Sequence, residues 1–242
     1  MKATQTLHEM GQSLWLDNIT RGLLASGTLR RYIKELSVTG LNVTLLFSRE
    51  QYVAAAEAYL RGIERRIAAG LNPDVGSVAS LFISRWDVAV IGKAPEELRN
   101  QLGIAVAGQT YETYRSLVNS PHWQHIFNAG ARRQRLLWAS TGTKDPKASD
   151  ILYIRALAAP FTVNTMPEAT LQAFADHGEI GPTLPTHARY CDEVLAKFTK
   201  AGIDIAALAT QLQDEGARSF VKSWNELMEC IASKSETLKK AG

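Results

Sequence analysis

The chain has 242 residues, enough for one large domain with a well-buried core or for two small ones. A hydrophobic content of 45% with 21% charged residues excludes disordered and fibrous classes. A net charge of +3 permits a local anion site but is too mild to imply a nucleic-acid partner. The two cysteines, Cys191 and Cys230, lack the short spacing of a zinc site and read as free thiols in a reducing compartment. The opening MKATQTLHEMGQSLWLDN has no unbroken apolar core of a signal peptide, and no stretch approaches the roughly 20 apolar residues of a membrane span. The expectation is a cytoplasmic protein without a membrane partner.

Taken in chain order, SLWLDN (Ser13–Asn18) is a short apolar run ending in a carboxylate. RGLLASGTLRRYIKEL then places Leu23, Leu24, Leu29, Ile33 and Leu36 at roughly helical spacing. VTG (Val38–Gly40) opens like a strand, yet NVTLLF (Asn42–Phe47), itself a β-branched and leucine-rich strand, follows almost at once. Ser48 and Gln51 form a capping box for a helix whose apolar face is Tyr52, Ala56, Tyr59, Leu60, Ile63 and Ile67, and Gly70 stops it.

SVASLFIS (Ser77–Ser84) is the next strand, followed by helical stretches to about Asn128 with breaks near Gly92, Gly103 and Pro121. RLLWAS (Arg135–Ser140) is a further strand, then a turn-rich TGTKDPKASD and a helical ILYIRALAA. FTVNTM (Phe161–Met166) is the last strand, and Pro167 opens a helix in the first-turn position that proline favours. From residue 186 onward the chain is mostly helical, and its final segment puts Phe220, Val221, Trp224, Leu227, Met228 and Ile231 on one face.

Strands alternating with amphipathic helices imply parallel βα units and an α/β fold. Five strand-like runs fall short of the eight of a closed (β/α) barrel, and no glycine-rich fingerprint follows the first strand, against a dinucleotide fold. In βα barrels, functional side chains lie at and just beyond the C-terminal ends of the strands. Those positions hold Asp17, Asn42 with Thr44, Ser80 with Phe82 and Arg85, and Ser140 with Lys144. One acid, several hydroxyls and amides and two cations suit a phosphorylated polyol. The plainer reading makes Asp17 a turn or cap residue and Arg85 and Lys144 surface charges. His122 and His125 lack the spacing of a zinc helix, so no metal is expected. ARRQR (Ala131–Arg135) lacks aromatic interleaving and reads as a solvated loop rather than a nucleic-acid patch.

Several segments together resemble the transaldolases, in particular the type found fused to a glucose-6-phosphate isomerase domain. They are LWLDNITRGLLASGTLRRYIKELSVTGL, NVTLLFSREQYVAAAEAYLRGIERRI, LLWASTGTKDPKASD, FTVNTMPEATL and EGARSFVKSWNELM, in family order and covering nearly the whole chain. The resemblance implies a transaldolase-type TIM (β/α) barrel of the pentose phosphate pathway. Such an enzyme moves a dihydroxyacetone unit from a ketose phosphate to an aldose phosphate through a lysine Schiff base, without metal or organic cofactor.

By motif position, Asp17 matches the acid/base. Asn42 matches a substrate-hydroxyl ligand, and Thr44 a residue that helps position the catalytic water. Ser80, Phe82 and Arg85 match the group in which the arginine holds phosphate, Ser140 matches a further phosphate-side residue, and Lys144 stands in for a second cation. In the family, SVTGL runs on into TSNP and two further βα units before NVTLLF; here Leu41 is joined directly to Asn42. At about 30 residues per unit, on the order of ninety or more residues are missing, the Schiff-base lysine with them.

The expectation is therefore a single domain over residues 1–242, an incomplete barrel of about five of eight strands. It would carry a helical C-terminal extension over 186–242, bind sugar phosphates, and self-associate through open sheet edges. Transfer activity would be impaired. The alternative is a non-catalytic remnant that binds sugar phosphates.

Overall fold

The computed structural model describes residues 3–16, 38–40, 45–185 and 187–241. Among them the element order is α1 (Ala3–Glu9), β1 (Ser13–Leu16), β2 (Val38–Gly40), α2 (Arg49–Ala68), β3 (Ser77–Phe82), α3 (Ser84–Ala89) and a 3₁₀ turn (Glu96–Leu98). There follow α4 (Leu102–Val118), α5 (Pro121–Asn128), β4 (Gln134–Ala139), α6 (Leu152–Ala156), β5 (Val163–Met166), α7 (Glu168–His177), α8 (Arg189–Lys200) and α9 (Ile205–Ala241). The RGLLASGTLRRYIKEL helix expected from periodicity lies outside the described residues.

All strand pairings are parallel, in the order β2-β1-β5-β4-β3. The first strand lies against the last, from Ser13 beside Val163 to Leu16 beside Met166. At the other end β3 and β4 run in unbroken register from Ser77 beside Gln134 to Phe82 beside Ala139. Beyond β3, Leu46 makes an isolated parallel bridge to Leu81, closed by Leu46 N–H to the Ser80 carbonyl at 3.0 Å and Phe82 N–H to the Leu46 carbonyl at 2.8 Å. Among the described residues the strands number five, with a membership different from the sequence expectation. Val38–Gly40 is a strand in its own right, and of NVTLLF only the Leu46 bridge falls among the described residues.

Local chemistry accounts for the helix boundaries. The Ser48 hydroxyl accepts the Gln51 N–H at 3.2 Å, and the Gln51 side chain reaches back to accept the Phe47 N–H at 2.7 Å, one residue before the usual partner. At the far end of α2, Gly70 takes a φ of +66°, and the Gly70 and Leu71 amides donate to the Ile67 and Arg66 carbonyls, the paired bonds of a Schellman stop. ILYIRALAA is helical only over Leu152–Ala156. The carbonyls that would continue it accept from elsewhere, Leu157 from the Gln12 amide at 3.0 Å and Ala158 from the Leu184 N–H at 2.8 Å. Pro167 stands at the N-cap of α7 rather than inside its first turn, a one-residue difference.

The core lies between the sheet and helices α2 to α5 and α8, and its largest members are Trp86, Trp123, Trp138, Tyr52, Tyr111 and Tyr114. The breaks expected near Gly92, Gly103 and Pro121 fall between these helices, and Gly103 itself sits in the first turn of α4, where a Cβ would come within 2.6 Å of the Ile83 carbonyl. Gly108 is the contact point between α4 and α8: a Cβ there would stand 2.2 Å from Cys191 Sγ. Cys191 is buried, Cys230 is exposed, and both are free thiols. No helix among the described residues is long and apolar enough to cross a membrane.

The apolar face of the last segment exists, but it covers nothing among the described residues. Phe220, Val221, Trp224 and Ile231 are each more than half exposed and Met228 is 39% exposed. Periodicity identifies residues that share a helix face; it carries no information on what covers that face. The α4–α8 contact yields a direct test. Gly108→Ala should destabilise the fold by about 1–3 kcal/mol through overpacking against Cys191, read as a lower urea midpoint, and Cys191→Ala in the same chain should recover most of it.

Candidate functional site

The C-terminal ends of β3 and β4 are held together past the last ladder residues. Ile83 N–H donates to the Ala139 carbonyl at 2.9 Å and Ser84 N–H to the Ser140 carbonyl at 3.0 Å. The two hydroxyls then meet, Ser84 Oγ and Ser140 Oγ lying 2.9 Å apart. Ser140 adopts a left-handed φ of +56°, uncommon for a residue with a Cβ, so the chain turns sharply out of β4 at this point.

Register puts Ser80 beside Leu137 and Phe82 beside Ala139, so these four share one face of the sheet. Ser80 is fully buried and Phe82 nearly so, its ring 5.5 Å from that of Phe47. The Arg85 guanidinium stands over the Phe82 ring at 5.6 Å, half-buried, with no acidic partner among the described residues. A cation stacked on an aromatic face keeps its edge donors free for an oxyanion. Four of the expected site residues, Ser80, Phe82, Arg85 and Ser140, therefore gather at one end of two adjacent strands. Lys144 is exposed on the loop beyond β4, and no hydrogen bond or ion pair ties it to the other four. Asp17, Asn42 and Thr44 lie outside the described residues.

Two further groups shape this end and were missed in the sequence. Ser84 had no signal beyond its place next to a strand end. Asp87, buried in the first turn of α3, accepts the Leu102 N–H at 2.9 Å, the Gly103 N–H at 3.3 Å and the Tyr153 hydroxyl at 2.8 Å. It caps α4 from a distance and ties α3, which carries Arg85, to α6. Burial pushes its carboxyl up to about 6, against the opposing pull of the Tyr153 hydroxyl and the two amides. The loop bearing Lys144 is anchored one residue on. Asp145 accepts from Arg99 Nη2 at 2.8 Å, from Asn100 Nδ2 at 2.7 Å and from the Lys147 amide at 2.9 Å. Hydrogen bonds from Arg99 and Asn100 hold that carboxyl well below the usual carboxylate range.

No described strand contains a lysine, and Lys93, Lys144, Lys147, Lys197, Lys200 and Lys222 are all exposed. No group of three or more metal-ligating side chains occurs among the described residues. His122 pairs with Glu64 at 2.7 Å, and Arg132 of the ARRQR cluster pairs with Asp74.

A family described as Transaldolase/Fructose-6-phosphate aldolase matches residues 14–231. A transaldolase of Parafrankia sp. (strain EAN1pec) is 46% identical over 200 residues, covering 79% of this chain and 54% of the relative. One of Thermobifida fusca (strain YX) is 44% identical over 201 residues, covering 79% and 55%. Transaldolase 1 of Streptomyces avermitilis is 39% identical over 242 residues, covering 94% and 64%. The chain spans little more than half the length of most of the curated relatives it matches.

The Asp87 brace gives a pH dependence of defined sign. Its folded-state value near 6 lies above the ordinary 3.8, so its stabilising contribution is complete below 3.8 and lost as pH rises through 6. Acidification from pH 7 to pH 5 should therefore raise the stability of this chain relative to Asp87→Asn by about 1 kcal/mol, measured by urea denaturation at both pH values. Asp145, held low, loses its contribution only below its ordinary range, outside that window.

Proposed function

The chain belongs to the Transaldolase/Fructose-6-phosphate aldolase family, by which it stands among enzymes, and from that premise we propose a transaldolase-type sugar-phosphate site with impaired transfer. The observation that carries this reading is the strand order. The two ends of the sheet in space are β2 and the Leu46 bridge, which are close neighbours in sequence, while the first strand lies against the last. A ring of eight parallel strands with two consecutive βα units removed would have this order, and the removed units would fall between Leu41 and Asn42. The fold proposed is thus an incomplete TIM barrel, its site at the C-terminal strand ends where Ser80, Phe82, Arg85 and Ser140 gather.

In the full reaction a lysine amine condenses with the ketose carbonyl and releases water. The protonated imine then accepts the electron pair of the breaking carbon–carbon bond, while a carboxylate takes the proton of the adjacent hydroxyl. The aldose leaves, an acceptor aldehyde is attacked by the enamine, and hydrolysis of the imine returns the amine. In this chain Asp17 is the proposed proton acceptor, Asn42 and Thr44 the hydroxyl and water ligands, and Arg85 the phosphate ligand with Ser140 beside it and Lys144 as an outer cation. The proposed gap takes away the amine, and with it the electron sink. Binding of a ketose phosphate survives; its cleavage does not.

Borohydride trapping with fructose 6-phosphate should leave no stoichiometric adduct on the purified 242-residue chain; a covalent adduct on any lysine sinks the impaired reading. Arg85→Gln should weaken fructose 6-phosphate binding at least about tenfold in calorimetric titration, the scale of one charge-assisted phosphate contact. Unchanged binding would remove Arg85 from the site. Among the described residues β2 pairs only with β1 and so offers an edge to another copy, whereas beside Leu46 the Leu45 carbonyl and the Phe47 N–H and carbonyl already pair with Gln213, Gln51 and Trp86. Light scattering should accordingly report self-association, and a monodisperse monomer would count against it.

A further inference from the structure

At the end of the sheet opposite Arg85, two arginines converge on one aromatic ring. Arg133 immediately precedes β4, Arg115 lies in the last turn of α4, and Phe161 stands two residues before β5. The Arg115 and Arg133 guanidinium carbons lie over the Phe161 ring, 5.4 and 5.3 Å from its centroid, and so no more than about 11 Å from each other. Neither has an acidic partner among the described residues, and the Nε atom of each is buried without a hydrogen-bond acceptor. Besides the ring, Arg115 has the Tyr111 hydroxyl as a neighbour.

The ring is held there against its backbone preference. Phe161 has a φ of +63°, a genuine outlier for a bulky residue, and its side chain is 47% exposed. Three hydrogen bonds pin the strained segment: Phe161 N–H to the Gly11 carbonyl at 3.0 Å, the Tyr114 hydroxyl to the Phe161 carbonyl at 2.9 Å, and the Tyr111 hydroxyl to the Pro160 carbonyl at 3.3 Å. Strain, an outward aromatic and two uncompensated cations occur together at one spot. Cations brought together without a counter-charge are a site for an anion.

We propose that Arg115, Arg133 and Phe161 form a second anion site, at the N-terminal ends of the strands, for a small molecule bearing a diphosphate group. Guanidinium forks match phosphate oxygens, and two forks that share one ring but stand apart favour an anion with oxygens at both ends over a compact one. Arg133 and Ser140 are separated by the length of β4, roughly 20 Å, so this site and the sugar-phosphate site do not overlap. The competing reading is that Arg115 complements the α4 C-terminus and both arginines merely stack.

Inorganic pyrophosphate and orthophosphate are the probes, titrated calorimetrically into Arg85→Gln so that the first site is silenced. One pyrophosphate per chain should bind, more tightly than orthophosphate and less tightly as salt rises, and the further change R115Q/R133Q should weaken it at least about tenfold. No saturable binding in Arg85→Gln, or binding unchanged by R115Q/R133Q, overturns the proposal. Because R115Q/R133Q removes two stacking contacts, a second measurement uses the unmodified chain. Phenylglyoxal labelling with peptide mapping should show Arg115 and Arg133 protected by pyrophosphate; protection confined to Arg85 overturns the proposal equally. Loss of the Arg85 effect on fructose 6-phosphate would sink only the sugar-phosphate reading, since neither measurement here depends on it.

Discussion

Backbone hydrogen bonds between β1 and β5 join segments about 150 residues apart in sequence, and side chains reinforce the seam from below. The buried Gln12 amide donates to the Leu157 carbonyl and the Thr162 hydroxyl, and Thr162 in turn donates to the Ala159 carbonyl at 2.7 Å. Together with the Phe161–Gly11 bond these contacts fasten the start of the first strand to the start of the last. Loop-closure entropy over such a span is offset only by contacts made at both ends at once. Everything downstream follows from the seam. It sets β5, hence β4 and β3, hence the end at which Ser84 and Ser140 meet and the opposite end at which Phe161 is forced outward.

The two ends of the sheet solve different problems. Where β3 and β4 finish, polar groups face one another and Asp87 spends its burial on holding α3, α4 and α6 in place. Arg85 rides on α3 and so inherits that rigidity. Where β4 and β5 begin, tyrosine hydroxyls satisfy the carbonyls of the bend at Pro160 and Phe161, and the arginines are left with a ring instead of a counter-ion.

Much of this was legible in the sequence because the signals were local. The Ser48–Gln51 cap, the Gly70 stop and the buried strands SVASLF and QRLLWA all rest on near neighbours. Arg85, Phe82 and Ser140 could be placed at strand ends because a strand end can be read from its own residues. What stayed hidden depends on distant partners. Asp87 looks like an ordinary helix residue until Leu102, Gly103 and Tyr153 arrive. Gly103 marks a helix start, but the close approach of the Ile83 carbonyl that requires glycine there is visible only in the fold, and ILYIRALAA looks helical until Gln12 captures a carbonyl. Phe161 and ARRQR are unremarkable apart and meaningful only once β4 and β5 lie side by side.

The bare stripe on α9 has a consequence of another kind. Ions excluded from protein surfaces, such as sulfate, strengthen the drive to bury apolar area, whereas any salt screens charge. A chain that shows solvent Phe220, Val221, Trp224 and Ile231 along one helix will have its colloidal behaviour set by the position of the added salt in the lyotropic series, and far less by ionic strength alone. Chloride and sulfate buffers matched in screening power would then present, in effect, two different surfaces of the same molecule.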